Sequence, residues 1–140
     1  MIASRTLQVA AAGILSLSAA LCQAAPMTPQ EVVRAYADAA NRHDVEAVLA
    51  LYAPDVHKYA FPGTLTSQGR ESNREKYRKN FAENPDLKVQ ILDMTVLADK
   101  VVSHDLVTGL ASGKTSEEIV VYQVDGEQIS SILYVERRLR

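Results

Sequence analysis

Asn41-Arg42-His43-Asp44-Val45-Glu46-Ala47-Val48-Leu49-Ala50-Leu51-Tyr52-Ala53-Pro54-Asp55-Val56 is the stretch from which the architecture of this chain can be built in both directions. Asn41 to Asp44 is a polar interruption. Asp44 is placed to cap a helix carrying Val45, Val48, Leu49 and Tyr52 at i, i+3, i+4 spacing, and Pro54 brings that helix to an end. Upstream, Thr28-Pro29-Gln30-Glu31 reads as a helix start: Thr28 can cap, Pro29 suits the first helical position, and Glu31 completes a capping box. That first helix carries Val32, Val33, Tyr36 and Ala40 towards a core.

Downstream, Val56 to Phe61 reads as a strand stopped by Pro62-Gly63, and Thr64 to Gln68 as a loop leading to Gly69-Arg70-Glu71. A charged third helix runs from Arg70 to Asn84, with Tyr77 and Phe81 as its inward stripe and Asn84-Pro85 as its stop. From Leu87 the hydrophobic period changes to two. Leu87, Val89 and Ile91 alternate, then Leu92, Met94 and Val96 alternate in the opposite phase, which predicts a bulge near Ile91-Leu92 and a curved sheet. Strands follow at Val101 to Thr108, Ser116 to Val124 and Ile129 to Arg137, the last two joined through Asp125-Gly126, a strong hairpin signal. The expected class is α+β, in the order α-α-β-α-β-β-β-β, with a curved antiparallel sheet against N-terminal helices.

Residues 1–24 precede this pattern. Arg5, an apolar run from Leu7 to Leu21 and a Cys22-Gln23-Ala24 exit predict a secretory signal peptide. The run is about 15 residues, short of the roughly 20 that span a bilayer. The expected mature chain, residues 25–140, is therefore an exported protein, most simply periplasmic, with no membrane attachment after cleavage. Cleavage there also removes the single cysteine, which excludes a disulfide or a thiol nucleophile from the mature chain. The whole chain holds 15 basic and 17 acidic side chains, a formal net charge of −2. No basic stripe points to nucleic acid, and the Arg137-Arg138-Leu139-Arg140 tail reads as a solvated terminus.

The order and spacing of Asn41 to Val56, Phe61-Pro62-Gly63 and Gly69-Arg70-Glu71 resemble the nuclear transport factor two-like superfamily. Within it, the chain is most similar to the SnoaL-like and ketosteroid-isomerase-like branch, over about Pro29 to Glu136. The resemblance implies a cone in which the sheet wraps around the helices and leaves a pocket at the open end. It also implies that the outer face of the sheet often forms a homodimer. Family members range from isomerases and cyclases to domains with no catalysis, so the chemistry must be argued from the site.

The ketosteroid-isomerase pattern implies three tyrosines around an oxyanion site, and spacing from Asp44 and from Gly69-Arg70 puts Tyr36, Tyr52 and Tyr77 there. Phenol hydroxyls in a dry pocket can stabilise negative charge developing on a carbonyl oxygen; otherwise they fill the core with satisfied hydroxyls. The carboxylate base of that pattern falls on Ala60, and its protonated second acid near Val120, so ketosteroid isomerisation by that mechanism is not expected.

In the strand Val101 to Thr108, alternation puts Val102, His104, Leu106 and Thr108 on one face, which the family register turns towards the pocket. His104 is then the candidate acid/base, oriented by Glu118, with Tyr36 as oxyanion donor. A one-residue slip would instead turn His104 outward. The same register points Tyr122 inward beside Glu118, and Ile132, Tyr134 and Glu136 from the last strand. Phe61, Leu106, Val120 and Ile132 form the expected apolar wall, and Lys58 faces the cavity, binding an anionic group or snorkelling to the rim. His43, His57 and His104 are scattered, with no metal-binding spacing, nucleophile elbow or nucleotide cradle. No metal or cofactor is expected. The functional expectation is a binder of a small, largely apolar or carbonyl-bearing molecule, with cofactor-independent isomerase- or lyase-type chemistry. The alternative is a non-catalytic ligand-binding or dimerising module.

Overall fold

A computed structural model of the chain describes residues 24–140. The expected leader lies outside them, save for Ala24. The elements are α1 (Pro29–Asn41), α2 (Val45–Ala50), β1 (Tyr52–Ala60), β2 (Thr64–Gln68), α3 (Arg70–Glu83), β3 (Lys88–Leu97), β4 (Lys100–Thr108), β5 (Ser116–Asp125) and β6 (Gln128–Leu139). Six strands form one sheet in the order β2-β1-β6-β5-β4-β3. All neighbours are antiparallel except β1 and β6, which run parallel.

Both predicted helix starts form. Thr28 N–H donates to Glu31 Oε2 at 2.7 Å and Glu31 N–H donates back to Thr28 Oγ1 at 3.3 Å, the reciprocal box that satisfies two otherwise orphaned donors. Asp44 Oδ1 accepts from Ala47 N–H at 3.0 Å. The second helix is shorter than its apolar spacing suggested: it stops at Ala50, and Tyr52 opens β1 instead of closing α2. Two physical pulls act there. Pro54 disfavours helical geometry at Ala53, and Leu51 C=O accepts from Ile129 N–H at 2.7 Å, drawing the chain beside β6.

Thr64–Gln68, expected as a loop, is a strand on the free edge, paired with β1 through Lys58↔Ser67 and Ala60↔Thr64. Its side chains are mostly exposed, so no alternation of apolar residues announced it. The predicted bulge in β3 is present, between Ile91 and Asp93. It keeps Ile91 and Met94 partly buried on the core side while Leu92 and Val96 stay exposed.

The core lies between α1, α2 and the concave face of the sheet. Val32, Val48, Tyr52, Val56, Val101, Ile129 and Ile132 are all 0% exposed. Burying each such side chain contributes on the order of 1.5–3 kcal/mol. The third helix grips this body by Asn73, Tyr77 and Phe81, one stripe at i, i+4 spacing. Asn73 was not foreseen as inward; it donates to Gly69 C=O at 2.7 Å and accepts from Ser67 Oγ at 3.1 Å, which removes the cost of burying its amide. Gly109, at φ +71°, brings its backbone so close to Asp86 that a Cβ would lie 1.9 Å from the Asp86 carbonyl oxygen.

Candidate functional site

At the open end of the cone is a cavity of about 450 Å³. Its apolar wall comes from Phe81, Leu87, Val89, Val107 and Leu110, and its polar groups from β1, α1, α3 and the sheet. Helices α1 and α3 deliver two of the phenols. Tyr36 of α1 and Tyr77 of α3 line the cavity, and Tyr52 lies beneath them, fully buried. Tyr77 Oη is the hub: it is 2.6 Å from the hydroxyls of both Tyr36 and Tyr52, and Lys58 Nζ donates to it at 3.1 Å. Burial pushes the Tyr36, Tyr52, Tyr122 and Tyr134 hydroxyls well above the ordinary phenol range, and Tyr77 is raised for the same reason. These groups therefore stay protonated and able to donate.

The sheet delivers the charges. Strand β4 turns Val101, Ser103, Asp105 and Val107 inward, and β5 turns Ser116, Glu118, Val120, Tyr122 and Val124 inward. Asp105 and Glu118 stand directly opposite one another in the ladder. Ser103 Oγ donates to Asp105 Oδ2 at 2.9 Å, while Asp105 Oδ1 is buried with no hydrogen-bond partner among the described residues. Burial drives the Asp105 carboxyl up to about 6; the Ser103 hydrogen bond opposes this and the Glu118 charge adds to it. Glu118 is held differently. It accepts from Ser116 Oγ at 2.8 Å and from Arg137 Nη2 at 3.4 Å, with Arg137 Nε in ion-pair contact at 2.7 Å, and Arg137 in turn stacks on the Tyr134 ring at 4.5 Å.

His104 is not in this cavity. Its Nε2 lies 2.8 Å from Glu117 Oε1 on the outer face of the sheet, where Arg140 also reaches Glu117 at 2.7 Å. Residues directly opposite in an antiparallel ladder share a face. Since Asp105 opposes Glu118 and His104 opposes Ile119, an inward Glu118 requires an inward Asp105 and an outward His104. The expected pairing of His104 with Glu118 is thus corrected by one residue on β4, and Leu106 leaves the pocket wall with it. Glu136 is likewise outward: the β5–β6 register shifts between Ile119 and Val120, so Glu118 opposes Arg137 and the arginine takes the inward place.

Of the other anticipated lining residues, Lys58, Tyr77, Glu118, Tyr122 and Tyr134 line the cavity. Val120 and Ile132 point inward but are sealed in the core below it, at 1% and 0% exposed. Phe61 is 65% exposed at the turn after β1, which carries it past the rim, and Ala60 is also outside the lining. Asp105, Ser116 and Arg137 were missed. Sequence alternation did contain Asp105 in the second of two apolar phases, Val101 to Val107, but offered no means of choosing between the phases. Among the described residues no cluster of histidine, cysteine, aspartate and glutamate has the makings of a metal site.

Compared with known proteins, residues 30–135 match the SnoaL-like polyketide cyclase family. No curated protein matches the sequence. Solved structures of the same shape include a cystatin-fold protein from Novosphingobium aromaticivorans, 22% identical with a TM-score of 0.72 over 79% of this chain and 99% of that one. A protein of ketosteroid-isomerase-like fold from Catenulispora acidiphila, in complex with trimethylamine, is 22% identical with a TM-score of 0.67 over 78% and 87% of the two chains. A computationally designed 17-OHP binder is 17% identical with a TM-score of 0.68, over 81% of this chain and 100% of that chain. At these identities the likeness is one of fold.

Proposed function

The chain belongs to the SnoaL-like polyketide cyclase family, and from that premise we propose that it binds a small, largely apolar, carbonyl-bearing molecule in the cone cavity and moves protons on it without a cofactor. The observation that carries this reading is the opposition, within one 450 Å³ cavity, of hydroxyl donors from the helices and a strained carboxyl from the sheet. Tyr36 donates to the ligand's carbonyl oxygen and stabilises charge developing there. Asp105, with a carboxyl shifted to about 6, takes a proton from carbon and returns it near neutral pH, the condition under which a general base works best. Apolar walls keep water out and strengthen both interactions.

The proposal includes export, with residues 1–24 removed, to a periplasmic setting. It also includes a homodimer through the convex face. Support for the dimer is an apolar row across four strands, Tyr59, Leu133, Val121 and Val102, with Val102 38% exposed.

The test is hydrogen–deuterium exchange at carbons next to the carbonyl, followed by NMR in heavy water over a panel of steroid-like and aromatic ketones. At least one ketone should exchange faster with the protein than without, and Asp105→Asn should slow that exchange by roughly 100-fold or more. Exchange unaffected by Asp105→Asn removes the base. A ligand that binds saturably with no exchange at all supports the second reading, a binding module, which Ala60 and Val120 in place of the family's carboxylates favour.

A further inference from the structure

Two lysines, Lys58 and Lys76, line the cavity, and Lys58 is the buried one that the acid/base reading leaves idle. Strand β1 lies between β2 and β6, with Lys58 opposite Ser67 on one side and Ile132 on the other, so its backbone is held at both edges. Its side chain is turned into the cavity and is only 9% exposed. No carboxylate lies within ion-pair distance of it among the described residues: Glu118, the acidic side chain whose charge acts on it, is taken by Arg137. Among the described residues its amine has one hydrogen-bond partner, Tyr77 Oη. Three aromatic rings surround the amine, with Nζ 4.8 Å from the Tyr77 centroid, 5.4 Å from Tyr52 and 6.0 Å from Tyr134.

A buried ammonium without a counter-ion is costly, and the group relieves that cost by shedding its proton. Burial, with Lys76 and Arg137 adding repulsion, brings Lys58 down to about 7. A desolvated lysine of this kind is a nucleophile at neutral pH. The snorkelling role open to Lys58 from its sequence position needs an amine that reaches the rim, whereas here the amine is buried and, at about 7, is present in part as the free base near neutral pH.

We propose that Lys58 condenses with a carbonyl carbon of a ligand held in the cavity, forming an imine, or with a β-diketone a vinylogous amide. The inference rests on the reading of the cavity as a site for carbonyl compounds. The lone pair of Nζ forms the new C–N bond while the carbonyl π pair moves to oxygen. That oxygen is protonated, the C–O bond breaks, and the oxygen leaves as water with the two amine hydrogens; with a β-diketone a proton then moves from the carbon between the carbonyls to nitrogen, giving the vinylogous amide. Tyr77 Oη, 3.1 Å from Nζ and backed by the Tyr36 and Tyr52 hydroxyls, can relay protons with no net change to itself.

The test uses benzoylacetone, an aryl β-diketone, on the whole purified protein near pH 7.5, read by intact mass and peptide mapping. Methyl NMR shifts of Val107 and Leu110 report binding in parallel. The expected result is one adduct, of diketone less one water, on the peptide carrying Lys58, formed at least about tenfold faster than on any other lysine. Lys58→Met, its fold checked by circular dichroism, should lose that adduct. Because mapping of the unsubstituted protein locates the adduct directly, the outcome does not depend on the variant folding. Methyl shifts without an adduct, or adducts spread over surface lysines alone, overturn the imine and leave the cavity reading standing. Neither shifts nor adduct with benzoylacetone or the ketone panel overturns both.

Discussion

Strands β4 and β5 carry two acid-bearing pairs one residue apart, and the two live under different physics. On the convex face, His104 and Glu117 are each about one-third exposed, and Glu117 is met by Arg140 as well as by His104. On the concave face, Asp105 and Glu118 are 3% and 8% exposed, and every partner they have is another part of the protein. The outer pair is an ordinary surface ion pair, of the kind that contributes about 0–1 kcal/mol. Within the inner pair, Glu118 is compensated by Arg137 and Ser116, whereas Asp105 has one hydroxyl and an orphaned oxygen. Buried charge held with too few partners costs stability, and such costs are characteristic of sites kept for binding or chemistry. The contrast places the costly buried charge on the inner face.

The sharpest way to break that contrast is to put the same charge on both faces at adjacent positions. Val101 is 0% exposed and Val102 is 38% exposed. Val101→Asp should destabilise by more than about 3 kcal/mol, or prevent folding, because the new carboxylate has neither water nor a cation. Val102→Asp should change monomer stability by less than about 1 kcal/mol and weaken any convex-face dimer. Denaturant melts and sedimentation read both. Equal losses at the two positions would mean that the outer face is buried as well.

A smaller effect, with a sign, comes from Asp105. Its folded carboxyl is raised to about 6, so the folded chain holds this proton more tightly than the unfolded chain does. That contribution to stability is fully present below the ordinary aspartate value of about 3.9 and is lost as the pH climbs through about 6. Asp105→Asn removes the dependence. Its advantage over the parent protein should be small at pH 4 and grow to about 2–3 kcal/mol above pH 7. An advantage that shrinks with rising pH would mean that Asp105 is stabilised as an anion, and the inner face would then resemble the outer. The smallest effect is expected outside: His104→Ala should alter stability by no more than about 0.5 kcal/mol at neutral pH. It should leave carbonyl exchange untouched.

Much of the architecture was legible because its signals are local. The Thr28 box, the Asp44 cap, the bulge after Ile91 and the Asp125-Gly126 hairpin each depend on residues within a few positions of one another. The tyrosine trio was anticipated from the family resemblance, by spacing from Asp44 and from Gly69-Arg70; Tyr36 and Tyr77 lie on helices and Tyr52 opens β1. Edge strand β2 was not legible, because an exposed strand has no burial pattern to betray it. The parallel pairing of β1 with β6 joins residues far apart in the chain and leaves no local mark.

The sequence by itself determined the element order apart from edge strand β2, and the family resemblance that pointed to the tyrosines, since capping and 3.6-residue periodicity are written within single segments. The tertiary structure alone decided the sheet half of the site. Strand β4 is apolar in both phases, with Val101 and Val107 in one and Val102 and Leu106 in the other, so alternation could not choose between His104 and Asp105. The choice was made by the ladder, in which Asp105 meets Glu118, and by the register shift that exchanges Glu136 for Arg137. A strand has two faces and a period of two, so one step of register replaces every side chain a cavity sees.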